Sequence, residues 1–163
     1  GILAAHYMKS RGITNVWVED SDSVRLLLAT KQIGLEAKFC MPGEDANAKF
    51  DYIFLANNDD TAHREAHERL SRFGVVNFFG GVPEPSQPLP ISSRDVHYGN
   101  FTFLGTHGSG RSDFLEAVAF IDSRREDLAG MVGPLFGMED FDAAFEQAKS
   151  KSHFKVAFRM VPS

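Results

Sequence analysis

The chain has 163 residues, 43% hydrophobic and 24% charged, with 22 acidic and 17 basic side chains and a formal net charge of −5. These figures exclude intrinsic disorder, a collagen-like repeat and a disulfide scaffold, and they suit one compact domain with a real core. No concentrated basic stripe offsets the negative charge, so nucleic acid is not an expected partner. The single Cys40 can neither close an internal disulfide nor join a four-cysteine zinc site. No apolar run approaches the roughly 20 residues that span a bilayer, and no signal segment opens the chain. No membrane partner is therefore expected, and the expected location is cytoplasmic. The chain opens on Gly1-Ile2-Leu3, without an initiator Met and already inside an apolar helical pattern.

Ile2, Leu3, Ala5 and Met8 stand near helical spacing and Gly12 supplies a stop, which predicts a helix over 2–11. Val16-Trp17-Val18 reads as a short buried strand ending in Glu19-Asp20. A second helix follows, capped by Ser21 or Ser23, running through Val24, Leu27, Leu28 and Lys31, and stopped by Gly34. Ala37–Met41 reads as a strand closed by Pro42-Gly43, and Tyr52–Ala56 as another, followed by the loop Asn57-Asn58-Asp59-Asp60. The spacing of Ala62, Ala66, Leu70 and Phe73 predicts a helix from Thr61 to Arg72, ended by Gly74.

Val75–Phe79 then reads as a buried strand terminated by Gly80-Gly81, and the proline-rich stretch 82–90 as a loop. Phe101–Leu104 is a further strand. Ser112–Ser123 is an amphipathic helix that places Phe114, Val118 and Ile121 inward. A helix over Glu139–Ser150 and a strand over His153–Met160 complete the pattern. Strands alternating with helices of this length predict an α/β fold with a mainly parallel sheet covered on both faces. Ligands of such sheets sit at the carboxyl ends of the strands, here Asp20, Asn57-Asn58, Gly80-Gly81 and Gly105.

The ordered set Gly1…Gly12, Val16–Asp20, Arg25-Leu26 and Gly34 resembles the cofactor-binding domain of medium-chain zinc-dependent dehydrogenases. Sorbitol, threonine and alcohol dehydrogenases belong to that group. Asp51–Ala56, Phe79–Pro83, His97-Tyr98, Phe101–Gly105 and Asp113-Phe114 match in the same order, as do Phe141, Ala144-Phe145 and Phe154–Val156. The resemblance implies a Rossmann-like, doubly wound sheet lacking its usual first strand. It implies a cofactor-binding domain over 1–130 and, over 131–163, a segment that in the family returns to the catalytic lobe. It also implies NAD as cofactor, while the departures from the family pattern leave weak or lost binding possible.

Asp20, at the end of what would be the second strand, can accept both hydroxyl protons of an adenosine ribose, and its charge would repel a 2′-phosphate. The competing reading is a helix cap or a surface acid. Arg25 matches an adenosine-side contact, against an exposed helix arginine; Lys155 matches a pyrophosphate contact, against a surface lysine on a strand. Gly1 corresponds to the last glycine of a G-x-G-x-x-G turn whose two earlier glycines and strand are not in this sequence. Ala56, Asn57, Gly81, Val82 and Leu104 align with positions lining the cofactor cleft, loop geometry being the alternative. Leu55 and Asn58 depart from the family's acid and glycine, and the interval from Gly34 to Asp51 is shortened.

His63 and His67, with Glu68 beside them, have a spacing that can hold a metal, but a third ligand is wanting. The Gly105–Gly110 run lacks the Lys-Ser/Thr of a phosphate loop and reads as a turn. No catalytic residue, metal ligand or bound zinc is expected of this chain, because the family's zinc ligands reside in another lobe.

Two readings result. One is an NAD-binding domain without its catalytic lobe, inactive alone, whose lobe a separate polypeptide could supply. The other is a degenerate module for self-association or partner binding. The resemblance, whose edge strand commonly pairs across a dimer axis, implies a homodimer through Phe101–Leu104. In the order 3-2-1-4-5-6 the missing strand is central, so its two neighbours would each present an unpaired edge that something is expected to fill.

Overall fold

The computed structural model describes residues 1–160, apart from the side chains at 32 and 33. Helix α1 (Ile2–Ser10) ends where Gly12 adopts φ 87°, a conformation that favours glycine. Strand β1 (Trp17–Glu19) leads into α2 (Ser23–Ile33). The cap of α2 is Asp22, whose carboxylate accepts from the amides of Val24 and Arg25, and neither of the serines expected there. Asp22 has the extended backbone, φ −104° and ψ 100°, that aims its oxygen back at the first turn, and Ser23 is already the first helical residue. Leu26 and Ala29 are the buried face of α2, and Gly34 closes it at φ 54°. Strand β2 (Lys38–Cys40) follows.

Strand β3 (Phe50–Leu55) is followed by α3 (Asp60–Glu65), capped by Asp59 through the amides of Thr61 and Ala62. The helix expected to reach Arg72 stops here. A 3-10 turn over Ala66–Arg69 intervenes, and Leu70 already begins β4 (Leu70–Phe78). Leu70 pairs with Phe50 and Val75 with Tyr52, so the intervening residues bulge out of the ladder. There Phe73 takes φ 65° and is exposed, instead of being buried on a helix. Gly74 fits because a β-carbon would lie 2.7 Å from the carbonyl oxygen of Ser71. A ladder with β3 outweighs helical spacing in this stretch.

Helix α4 (Ser93–Gly99), capped by Ser92, was not expected; β5 (Thr102–Gly105) was. Helix α5 (Arg111–Ser123) forms as expected, but Phe114, Val118 and Ile121 are 64%, 43% and 44% exposed instead of inward. Helix α6 (Arg125–Leu128), strand β6 (Val132–Phe136), α7 (Phe141–Lys149) and β7 (Lys155–Phe158) complete the chain, β6 without prior signal. None of the described helices is long and apolar enough to cross a membrane.

Every ladder is parallel, as expected, but the described strands form three sheets of order β1-β2, β3-β4-β5 and β6-β7. Among the described residues β1 pairs only with β2 and β3 only with β4. The chain divides into two compact units, one of Gly1 with residues 43–109, the other of residues 2–42 with 110 onward. In the first, Leu55, Ala66, Leu70 and Val76 form the core, with Ile53, Phe78, Phe101 and Phe103 against it. In the second, Ala5, Val16 and Leu35 form the core, joined by Met8, Phe39, Met131 and Phe154 among others.

Candidate functional site

In the first unit, alternation along β3, β4 and β5 sends Ile53, Leu55, Val76, Phe78 and Phe103 to the core face. Tyr52, Phe54, Asn77 and Leu104 occupy the other face by the same register. Asn77 is buried there and satisfied at both ends. Its Nδ2 donates to the Tyr52 hydroxyl at 2.9 Å, and its Oδ1 accepts from Thr106 Oγ1 at 2.9 Å. One amide thereby ties β3, β4 and the turn after β5 side by side.

At the carboxyl ends of these strands the backbone is drawn tight. The carbonyl of Leu55 accepts from the amides of Phe79 at 3.2 Å and Gly80 at 2.7 Å. Gly80 lies so close to Asn57 that a β-carbon would overlap the Asn57 carbonyl and sit 2.9 Å from its nitrogen. Buried His63 holds the same carbonyl: Nε2 stands 3.1 Å from Asn57 O, and since a carbonyl only accepts, Nε2 carries the hydrogen. The Asn57 side chain accepts from the amide of Asp59 at 3.3 Å, so this residue is fixed through both backbone and side chain. Ala56 is half-buried, and a β-carbon on Gly1 would lie 3.8 Å from the Ala56 β-carbon, ordinary contact. Gly81 has open space around it, Val82 is half-buried and Leu104 is exposed. Gly1, Ala56, Asn57, Gly81, Val82 and Leu104 thus all belong to the unit that contains these strand ends.

In the second unit Asp20 directly follows β1, its amide donating to Cys40 O at 3.4 Å. Its Oδ1 accepts from the amide of Asp22 at 2.9 Å and its Oδ2 lies 3.7 Å from Arg25 Nε. The two side chains are 39% and 36% exposed, respectively. Asp20 is therefore not the helix cap; Asp22 is. A carboxylate offers about four acceptor positions, and these two contacts leave capacity on a partly exposed group. Arg25 is also placed with its guanidinium carbon 5.7 Å from the Phe154 ring centroid. Lys155, next to that aromatic, is exposed on β7 opposite Val132. The structure thus brings Asp20 and Arg25 together, a pairing the sequence did not announce.

His63 and His67 do not converge. His63 serves Asn57, while His67 Nδ1 stands 2.9 Å from the Arg64 carbonyl, and no cluster of three metal-binding side chains occurs among the described residues. Cys40 is buried and packs beside Val18 and Glu19. Nothing local in the sequence marks Asn77, Tyr52 or Thr106, and His63, visible as a possible metal ligand, instead holds the Asn57 carbonyl. Gly80 was visible as one of two adjacent glycines.

No family model matches the chain. An L-sorbose 1-phosphate reductase of Klebsiella pneumoniae is 30% identical over 89 residues, covering 55% of this chain and 22% of that protein. An uncharacterized protein of Escherichia coli K12, YggP, is 27% identical over 141 residues, covering 85% of this chain and 30% of that protein. The glucose dehydrogenase of Haloferax mediterranei, solved in complex with NADP, Zn and gluconolactone, superposes with a TM-score of 0.82 at 19% identity. That superposition covers 99% of this chain and 48% of the dehydrogenase. Other solved alcohol and polyol dehydrogenases share the fold over 95–99% of this chain, which spans 46–48% of theirs. The chain is thus an α/β protein with the fold of a Rossmann-type part of such dehydrogenases, as the resemblance implied.

Proposed function

We propose that this chain is a dinucleotide-binding domain of an alcohol- or polyol-dehydrogenase type, and that its ligand is NAD(H). One observation carries the reading: a partly exposed carboxylate, Asp20, at the carboxyl end of a parallel strand that leads straight into a helix. Strand ends of this kind are where ligands of open parallel sheets bind, and an acid there accepts from both hydroxyls of the adenosine ribose. Asp20 fits that task because the Asp22 amide and Arg25 orient it without exhausting its acceptors. The same charge disfavours the 2′-phosphate of NADP. When bound, the dinucleotide supplies the hydride acceptor or donor of an oxidoreductase; this chain's share is to hold and orient it.

Titration calorimetry with NADH, NADPH and ADP-ribose tests the reading. NADH and ADP-ribose are expected to saturate, NADPH to bind more weakly, and Asp20→Ala to weaken NADH at least about tenfold, the loss of roughly 1.4 kcal/mol. No heat at millimolar NADH refutes the assignment.

A second reading, a non-catalytic module for self-association or partner binding, draws on the apolar stripe of α5. Phe114, Leu115, Val118 and Ile121 are all exposed on one helix, an arrangement that monomeric surfaces avoid. Light scattering separates the two: a single-chain mass over a wide concentration range removes the homodimer, including one paired through the outer edge of β5.

A further inference from the structure

The turn after α7 meets the first turn of α2 at two points. Lys151 Nζ lies 4.0 Å from Oδ2 of Asp22, the carboxylate that caps α2. Three residues on, the Phe154 ring centroid stands 5.7 Å from the Arg25 guanidinium carbon, while Arg25 Nε is 3.7 Å from Asp20 Oδ2. Phe154 is itself fixed. It packs on the core of Ala5, Val16 and Leu35, and His153 before it has Gln147 Nε2 and Ser152 Oγ each 3.1 Å from its Nδ1. Gly133 makes room for that imidazole, since a β-carbon there would come within 2.6 Å of His153 Cγ.

The ion pair and the ring restrain the same guanidinium. At 3.7 Å the Arg25–Asp20 contact is longer than a hydrogen bond, and an ion pair between partly exposed side chains holds them only weakly. A ring face against the guanidinium adds a restraint of comparable size. Where Arg25 is held matters, because a carboxylate at a strand end of this kind disfavours a 2′-phosphate whereas a nearby arginine accommodates one through its planar fork. Asp20 and Arg25 thus pull the choice of dinucleotide in opposite directions. We propose that Phe154 is a positioning residue that decides between them: it keeps Arg25 committed to Asp20 and away from a 2′-phosphate, and so favours NADH over NADPH. This role rests on the dinucleotide reading of Asp20 and adds to it a residue 134 positions further along the chain.

The ratio of the NADPH to the NADH dissociation constant, measured by titration calorimetry on the full chain, tests this. Phe154→Leu and Phe154→Met keep an apolar side chain on the core but remove the ring face. Each is expected to lower the ratio about fivefold, chiefly by tightening NADPH, while Phe154→Tyr keeps the wild-type ratio. A loss of packing alone would weaken both ligands together and leave the ratio where it was. Because the ring acts through Arg25, Phe154→Leu should not move the ratio further in an Arg25→Gln chain. The proposal is overturned if NADH binds and neither ring-free variant shifts the ratio, or if Phe154→Leu shifts it equally with Arg25→Gln present. A wild-type chain that binds neither NADH nor NADPH refutes the reading of Asp20, and this role with it.

Discussion

Gly80 and Gly81 are neighbours with opposite demands, and replacing each by alanine separates them. At Gly80 the new methyl would overlap the Asn57 carbonyl and lie 2.7 Å from its carbon. Optimal separation is about 3.5–4.0 Å, so the two strand ends must part by about 1 Å. Two hydrogen bonds depend on that approach, from Phe79 N and Gly80 N to Leu55 O. Losing or stretching both costs about 1–2 kcal/mol, and the overpacking itself about 1–3 kcal/mol. Part of this strain is relieved by movement of the loop, so Gly80→Ala is expected to destabilise the chain by about 2–4 kcal/mol. At Gly81 nothing lies within 4 Å of the added atom, and the effect should stay within about 0.5 kcal/mol. Urea unfolding at equilibrium measures both, with unchanged m-values as the check that the midpoint shift reports stability. A Gly80→Ala loss below about 0.5 kcal/mol, or equal losses at the two positions, would refute the close approach of these strand ends.

Three further outcomes are expected. Asp22→Ala removes the α2 cap and should cost about 0.5–2 kcal/mol, with Ser21→Ala near neutral by the same thermal or urea measurement. Asn77→Ala strands Tyr52 and Thr106, and a double-mutant cycle with Thr106→Val should give a coupling of about 0.5–1.5 kcal/mol; additivity would dissolve the network. The Tyr7 hydroxyl donates to Glu116 Oε1 at 2.5 Å, and that bond, then burial and the carboxylate's charge, raises the tyrosine above 10.0. Because the folded value is raised, the stabilisation is intact below pH 10 and is lost as pH climbs through the folded value. Ultraviolet titration of folded protein should therefore show a late-ionising component that Tyr7→Phe removes and Glu116→Gln returns toward 10.0.

Much of the fold was legible because most elements follow period and punctuation. Gly12 and Gly34 stop their helices with positive φ as the pattern required, and the apolar runs at β1, β3 and β5 are strands. The misreadings share a cause. Ala62, Ala66, Leu70 and Phe73 fit a helix by spacing, but pairing of Leu70 with distant Phe50 decided the conformation, and such pairing leaves no local trace. Phe114, Val118 and Ile121 form a stripe that periodicity identifies without saying whether anything covers it. At the site, Asp20 was visible because a strand end exposes an acid at a defined place. The hydrogen bonds of Asn77 join residues 25 and 29 positions away along the chain, and no window of sequence holds all three.

The discontinuity of the second unit imposes an order on biosynthesis. Its first portion, residues 2–42, carries Ala5, Val16 and Leu35, whose core is completed by Met131 and Phe154. Those partners leave the ribosome only after the whole intervening unit has been made. At about 5–20 residues per second the delay is roughly 5–20 s, long compared with the microseconds in which a helix forms. The 2–42 segment therefore waits for those partners while residues 43–109 are being made. Chaperone capture during translation is therefore expected to concentrate on residues 2–42, and to end once Phe154 has emerged.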